Sequence, residues 1–176
     1  MKVAYAGLPG AFSHEACLRF LPGDTPVQVA SFEQVVEAVE QGDTELGILP
    51  LANNAAGETG AGELIERASV RVLSEHHMPV QMHLLGLPGS VLVEVRTVVS
   101  HPIALRQCAR TLASFHIQAE EGPNTAVAAS TLKDPHRAVL GSDAAARLYG
   151  LAVLKRDVHD RPDNATTFAV IAREDS

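Results

Sequence analysis

Short apolar runs alternate with helix-period stretches from one end of this chain to the other. The first run, at 3–6, ends in a Gly/Pro turn, and the pattern over 12–21 predicts a helix behind it. A second strand is expected at 27–30. Ser31-Phe32-Glu33-Gln34 then has the form of a capping box, with Ser31 as N-cap and Gln34 three positions on. The helix that follows runs to Gln41, where Gly42 supplies the stop. A third strand at 46–49 enters the segment 50–62, rich in Asn, Ala and Gly, which reads as a long loop. An extended passage covers 70–87, with Pro79 inside it. A second series follows: strand 95–100, helix 102–115, strand 117–121, helix 125–132, strand 138–141 and helix 142–149. The stretches 152–154 and 167–172 read as closing strands.

Such alternation predicts an α/β protein with largely parallel sheets. The extended passage separates two βα series, so two lobes joined by crossing segments are expected, with the last strand returning to the first lobe. Lobe 1 is expected at about 1–76 plus 160–176, and lobe 2 at about 77–159. Bilobal α/β proteins bind small ligands in a cleft, at the carboxyl ends of the strands.

Composition narrows the function classes. With 46% apolar and 20% charged residues, the chain fits a soluble globular protein. A formal charge of −7 without a Lys/Arg cluster leaves no electrostatic footprint for nucleic acid. No run approaches the ~18 apolar residues that a membrane helix needs. The start lacks an apolar signal region, and Cys17 and Cys108 are isolated thiols, so a reducing cytoplasm is expected.

An acidic protein repels an anion at long range, so any anion site must make its own positive potential. Four strand-to-helix junctions supply candidates: 10–13, 100–102, 124–126 and 141–143. Free N–H groups at helix starts attract carboxylates, although Ser, Asn and Thr also cap ordinary helices. Pro102 fits a first helical position, which puts Ser100 or His101 at the cap. Asn53 and Asn54 sit in the loop 50–62, where a plain Asx-turn is the competing reading. His76, His77 and His83 form the one histidine cluster. Adjacent strand residues face opposite ways, so His76 and His77 do not share an ion, and neither a metal nor another cofactor is expected.

Four segments together resemble the prephenate dehydratase family: 7–13 (GLPGAFS), 50–54 (PLANN), 100–108 (SHPIALRQC) and 163–168 (DNATTF). The match extends over nearly the whole chain in order and spacing. The resemblance implies two lobes like those of type II periplasmic binding proteins, with prephenate in the cleft of a homodimer or tetramer. It implies decarboxylative dehydration of prephenate to phenylpyruvate in phenylalanine biosynthesis. Thr166 matches the family's catalytic threonine. Ser13, Asn53, Asn54, Ser100, His101, Thr125, Ala126, Thr167 and Phe168 match positions that hold the dicarboxylate substrate or shape its pocket. Bacterial family members usually append an ACT regulatory domain, and none is expected within these 176 residues.

The family's Glu-Asn-Ser is Ala52-Asn53-Asn54 here, and the arginine of its Thr-Arg-Phe is Thr167. An acid and a base are absent together, which suggests that they pair in ordinary members. Two other readings stay open: a prephenate decarboxylase that retains the ring hydroxyl, and a non-catalytic module that binds a small carboxylate.

Overall fold

In a computed structural model, residues 1–122 and 125–175 are described, with the backbone alone at Thr125 and Ala126. They form two units. One holds Met1–Leu8, Phe12–Val80 and the chain from Ala165 onward; the other holds Pro9–Ala11 and Gln81–Asn164.

The first unit is built on a mixed sheet. Strand β1 (Lys2–Ala6) runs parallel to β2 (Thr25–Val29) and β3 (Leu46–Asn53), with α1 (Phe12–Phe20) and α2 (Phe32–Gln41) as crossovers. Next to β3 lies β11 (Ala165–Arg173), antiparallel, and beyond it β5 (Val70–Pro79), giving the order β2-β1-β3-β11-β5. A two-residue strand, β4 (Gly57–Glu58), pairs with the end of β3, and α3 (Ala61–Arg67) follows. Period-two alternation divides the core. Val3, Tyr5, Ile48, Met78, Phe168 and Val170 pack on the face that α1 covers, and Ala4, Leu49 and Ile171 on the face that α2 covers.

Helix α2 begins where the sequence places it. Ser31 Oγ accepts from the Gln34 N–H at 3.2 Å, while the Gln34 side chain accepts from the Ala30 N–H at 2.8 Å. The helix stops at Gly42, whose φ of 81° suits a residue without Cβ. It crosses the sheet closely, because a Cβ on Gly47 would stand 2.8 Å from a Val35 methyl.

The second unit carries β6 (His83–Gly86), β7 (Thr97–Ser100), β8 (Gln118–Glu121), β9 (Arg137–Gly141) and β10 (Ala152–Lys155), in the order β10-β6-β9-β7-β8. Its helices are α4 (Pro102–Gln107), α5 (Ala109–Ser114), α6 (Thr125–Thr131) and α7 (Asp143–Tyr149). Leu85, Val139, Ala128, Ala129, Ala145 and Ala146 form one cluster of its core, and Leu84, Val98, Cys108 and Leu140 are buried as well.

Three expectations need correction. The sheets are mixed: β11 runs against β3 and β5, and β6 against β9 and β10. In the first unit the reason is where the chain leaves and returns. Pro79 and Ala165 are paired at one end of the sheet, so β11 must run back down between two strands that run up. The segment 50–62 is not one loop, since β3 continues through Asn53 and α3 starts at Ala61. The stretch 102–115 is two helices that break at Cys108, which is fully buried. The second is capped from a distance, the Asp160 carboxylate accepting the N–H groups of Arg110 and Thr111 at 3.0 and 2.9 Å.

Candidate functional site

The strand pairing of β3 with β11 decides which side chains meet. Thr166 is the register partner of Asn53, and Thr167 of Ala52. Successive strand residues face opposite ways, so Thr166 and Phe168 share the α1 face and Thr167 takes the other. Thr166 is buried, with 9% of its surface exposed, and Phe168 is in the core.

The Asn53 Nδ2 group donates to Thr166 Oγ1 at 2.9 Å. The orientation of that amide follows from its other end. Asn53 Oδ1 accepts the backbone N–H groups of Ala55 and Ala56 at 2.8 and 2.9 Å, the Asx-turn weighed from sequence. Oxygen must therefore point into the turn and nitrogen toward Thr166. A hydroxyl that accepts from Asn53 retains its own hydrogen to donate onward. Asn54 serves the backbone instead. Its Oδ1 accepts from the Ala165 N–H at 2.9 Å, and its N–H donates to the Ala165 carbonyl at 3.1 Å, clipping the start of β11.

Thr167 is bonded on its other side. Its Oγ1 lies 2.9 Å from Nδ1 of His77, the residue opposite it on β5. His76 faces the opposite way, stacked on Phe20 at 4.5 Å between ring centroids, with Nε2 2.9 Å from Ser74 Oγ. These two adjacent histidines hold the two faces of β5 to different neighbours. Among the described residues no group of histidine, cysteine and carboxylate side chains is arranged to hold a metal ion.

Ser13 is the second residue of α1 and is buried at 9% exposure. In the second unit, Ser100 ends β7 fully buried, and His101 is the N-cap of α4. His101 Nδ1 accepts the Ile103 N–H at 3.2 Å, so a neutral His101 ring carries its proton on Nε2 and presents a donor there. The side chains of Thr125 and Ala126 lie outside the described residues; their backbone opens α6. Ser142 caps α7, its Oγ accepting from the Ala145 N–H at 3.1 Å. That junction is satisfied internally. Both thiols are buried, which pushes them up to about 12, with the Asp160 carboxylate adding to the effect at Cys108. Neither is poised as a nucleophile at neutral pH.

Sequence reasoning missed His77 as a partner of the motif. The bond depends on the β5–β11 register, which no local pattern reveals.

A family description, prephenate dehydratase, matches residues 3–176. The chain belongs to this family. Its relatives include an arogenate dehydratase/prephenate dehydratase from Arabidopsis thaliana, 34% identical over 178 residues that span 99% of this chain and 45% of the relative. A bifunctional N-acyl-homoserine lactone acylase/prephenate dehydratase from Komagataeibacter europaeus is 33% identical over 175 residues, spanning 97% of this chain and 62% of the relative. The chain thus spans about half the length of the curated relatives it matches. Among solved structures, a quorum quenching acylase, GqqA, superposes with a TM-score of 0.89 at 32% identity, covering 98% of this chain and 64% of that one. The prephenate dehydratase of Arthrobacter aurescens, solved with L-Phe, gives 0.87 at 25% identity, covering 98% and 60%. A periplasmic substrate-binding protein from Coxiella burnetii, 12% identical, matches 99% of this chain and 85% of its own with a TM-score of 0.53. The α/β fold is of the type II periplasmic-binding-protein kind. Among the described residues no helix is long and apolar enough to cross a membrane.

Proposed function

We propose that this chain catalyses the decarboxylative dehydration of prephenate to phenylpyruvate, with Thr166 as the catalytic residue. The observation that carries the reading is the Asn53–Thr166 hydrogen bond, with Asn53 oriented by its own turn. In the reaction the ring carboxylate leaves as carbon dioxide, its bonding pair aromatises the ring, and the ring hydroxyl departs to become water. Aromatisation supplies the driving force, so the protein must help the oxygen leave. A threonine hydroxyl is too weak an acid to protonate it outright, and it acts by donating a hydrogen bond as charge develops. Removing one such donor typically costs ~10²-fold or more in rate. Asn53 contributes by turning the hydroxyl's lone pairs toward itself.

Phe168, packed in the core on the same face as Thr166, shapes the pocket from behind. Ser13, Ser100, His101, Thr125 and Ala126 orient the substrate's two carboxylates, by side chain or backbone N–H, and Thr167 acts from its own strand position. The protein works as a homodimer or tetramer in the cytoplasm and needs no cofactor.

The test is incubation of purified protein with prephenate at neutral pH, following product by ultraviolet spectrum and mass. Phenylpyruvate should form at least ~10²-fold faster with the wild type than with Thr166→Ala. Equal rates would refute the assignment. Products that keep the ring hydroxyl would point to a decarboxylase, and ligand-induced thermal shifts without product to a binding module. Arogenate belongs in a parallel reaction, because it is named for the Arabidopsis relative. The bifunctional relative supports a second reading, hydrolysis of N-acyl-homoserine lactones, tested by release of the fatty acid.

A further inference from the structure

The β3–β11 ladder is irregular beside Thr166. Thr167 pairs with Ala52, but Phe168 pairs with Pro50, so Leu51 is an extra residue on β3. Pro50 explains the irregularity, since it has no N–H to give the ladder. Thr59 ties off the bulged segment. Its hydroxyl donates to the carbonyls of Pro50 and Leu51, and its N–H donates to the Leu51 carbonyl at 3.0 Å. These bonds hold β3 in place but not β11. Along β5, by contrast, pairing runs without a break from Ala165 opposite Pro79 to Val170 opposite Ser74, and the first shift comes after Val170. On that side the Thr167 hydroxyl also bonds His77.

We infer that His77 is a positioning residue for the Thr166 hydroxyl. It acts through Thr167, holding β11 in the twist that brings Thr166 onto Asn53. The inference rests on the role proposed for Thr166. Where the β3 ladder is interrupted, rotation of β11 about its axis is restrained from the β5 side. On the β5 side the Thr167–His77 contact is the side-chain restraint nearest the reacting position, while on the β3 side Asn54 clips Ala165. Loss of it lets the 166–167 peptide rock about the bulge, and the Asn53–Thr166 contact loosens with it. His77 touches neither Thr166 nor Asn53 in this scheme, so its effect is one of aim.

The test uses His77→Ala and His77→Asn in the full chain. An asparagine side chain places a hydrogen-bonding atom at the distance of the imidazole Nδ1 and should rescue. The first readout needs no turnover: the side-chain amide resonances of Asn53, assigned by nuclear magnetic resonance, and their exchange with solvent. His77→Ala should shift these resonances and speed exchange several-fold, with His77→Asn close to wild type. The second readout is steady-state kinetics on prephenate. In His77→Ala, kcat should fall roughly tenfold, below the ~10²-fold that gross misplacement of reacting groups can cost, while KM changes less than about twofold. An Asn53 amide unchanged in His77→Ala overturns the inference, as does an equal loss in both variants. If the amide responds as expected but the wild type makes no Thr166-dependent product, the positioning stands and the dehydratase reading falls.

Discussion

Restoring the family's acid and base offers a direct test of why both are absent. Ala52 and Thr167 are direct partners across β3 and β11, so Ala52→Glu and Thr167→Arg would place the two groups side by side. Cβ atoms in such a pair stand about 4.5–5.5 Å apart. Removing one partner of a fully buried ion pair costs roughly 3–5 kcal/mol. That figure is too large here, because both positions are only half-buried. The scale for opposite charges facing each other across a sheet, about 0.2–1 kcal/mol, is the right one.

Each single change also carries its own cost. Thr167→Arg breaks the hydrogen bond to His77, worth about 0.5–1.5 kcal/mol. Ala52→Glu puts a carboxylate opposite Glu58 on β4, and like charges so placed are destabilising on the same scale of about 0.2–1 kcal/mol. Both singles should therefore be less stable than wild type. The double variant should recover about 1 kcal/mol relative to their sum, because arginine binds the new glutamate. Urea unfolding of the four proteins at pH 7 gives the coupling energy, and added salt should shrink it. Additivity within about 0.3 kcal/mol would refute the pairing argument.

Three further changes probe the scaffold. Gly47→Ala should destabilise by about 1–3 kcal/mol in urea, since the new methyl meets Val35, Val39 and Ile171 within 3.1 Å. Thr44→Val should be neutral or stabilise by up to about 1 kcal/mol in the same assay, because the Thr44 hydroxyl is buried without a partner among the described residues. Asp160→Ala should lose about 1 kcal/mol at pH 7 through the cap of α5. Burial alone would raise the Asp160 carboxyl, but the N–H groups of Arg110 and Thr111 and the Thr111 hydroxyl outweigh it and leave it below the ordinary 3.8. A lowered folded value means stability held above 3.8 and lost as pH falls through the folded value. The gap between wild type and Asp160→Ala should therefore close in acid, and a gap that stays constant would refute the cap.

Most of the fold was legible because its signals are local. Strands β1, β3 and β9 are short apolar runs, and α2 has both ends written beside it in Ser31, Gln34 and Gly42. What failed was non-local. Strand direction in the first sheet follows from where the chain crosses to the other unit and back, and no periodicity carries that. The break at Cys108 needed Asp160, about fifty residues on, to give α5 its own start. The end of β3 was hidden by composition, since Asn53 and Asn54 look like loop residues whether or not their backbone still pairs.

The same division applies to the motif at the start of β11. Its residue types could be read directly, and Thr166 could be set against a known pattern. Its physics could not, because Thr166 and Thr167 are neighbours in sequence and opposites in space. One looks to Asn53 on β3, the other to His77 on β5. The arginine that the family pattern leads one to expect is thus missing from the face away from the proposed catalytic hydroxyl. On that face its cross-strand neighbour is Ala52, where the acid is also missing. Loss of the arginine alone would leave a carboxylate facing a hydroxyl already engaged by His77, with Glu58 across the next strand pair. Loss of both leaves a neutral row of small side chains between Glu58 and His77, with the Asn53–Thr166 bond intact on the other face. The double departure therefore reads as one change to the support of the strand, and the hydroxyl retains its partner.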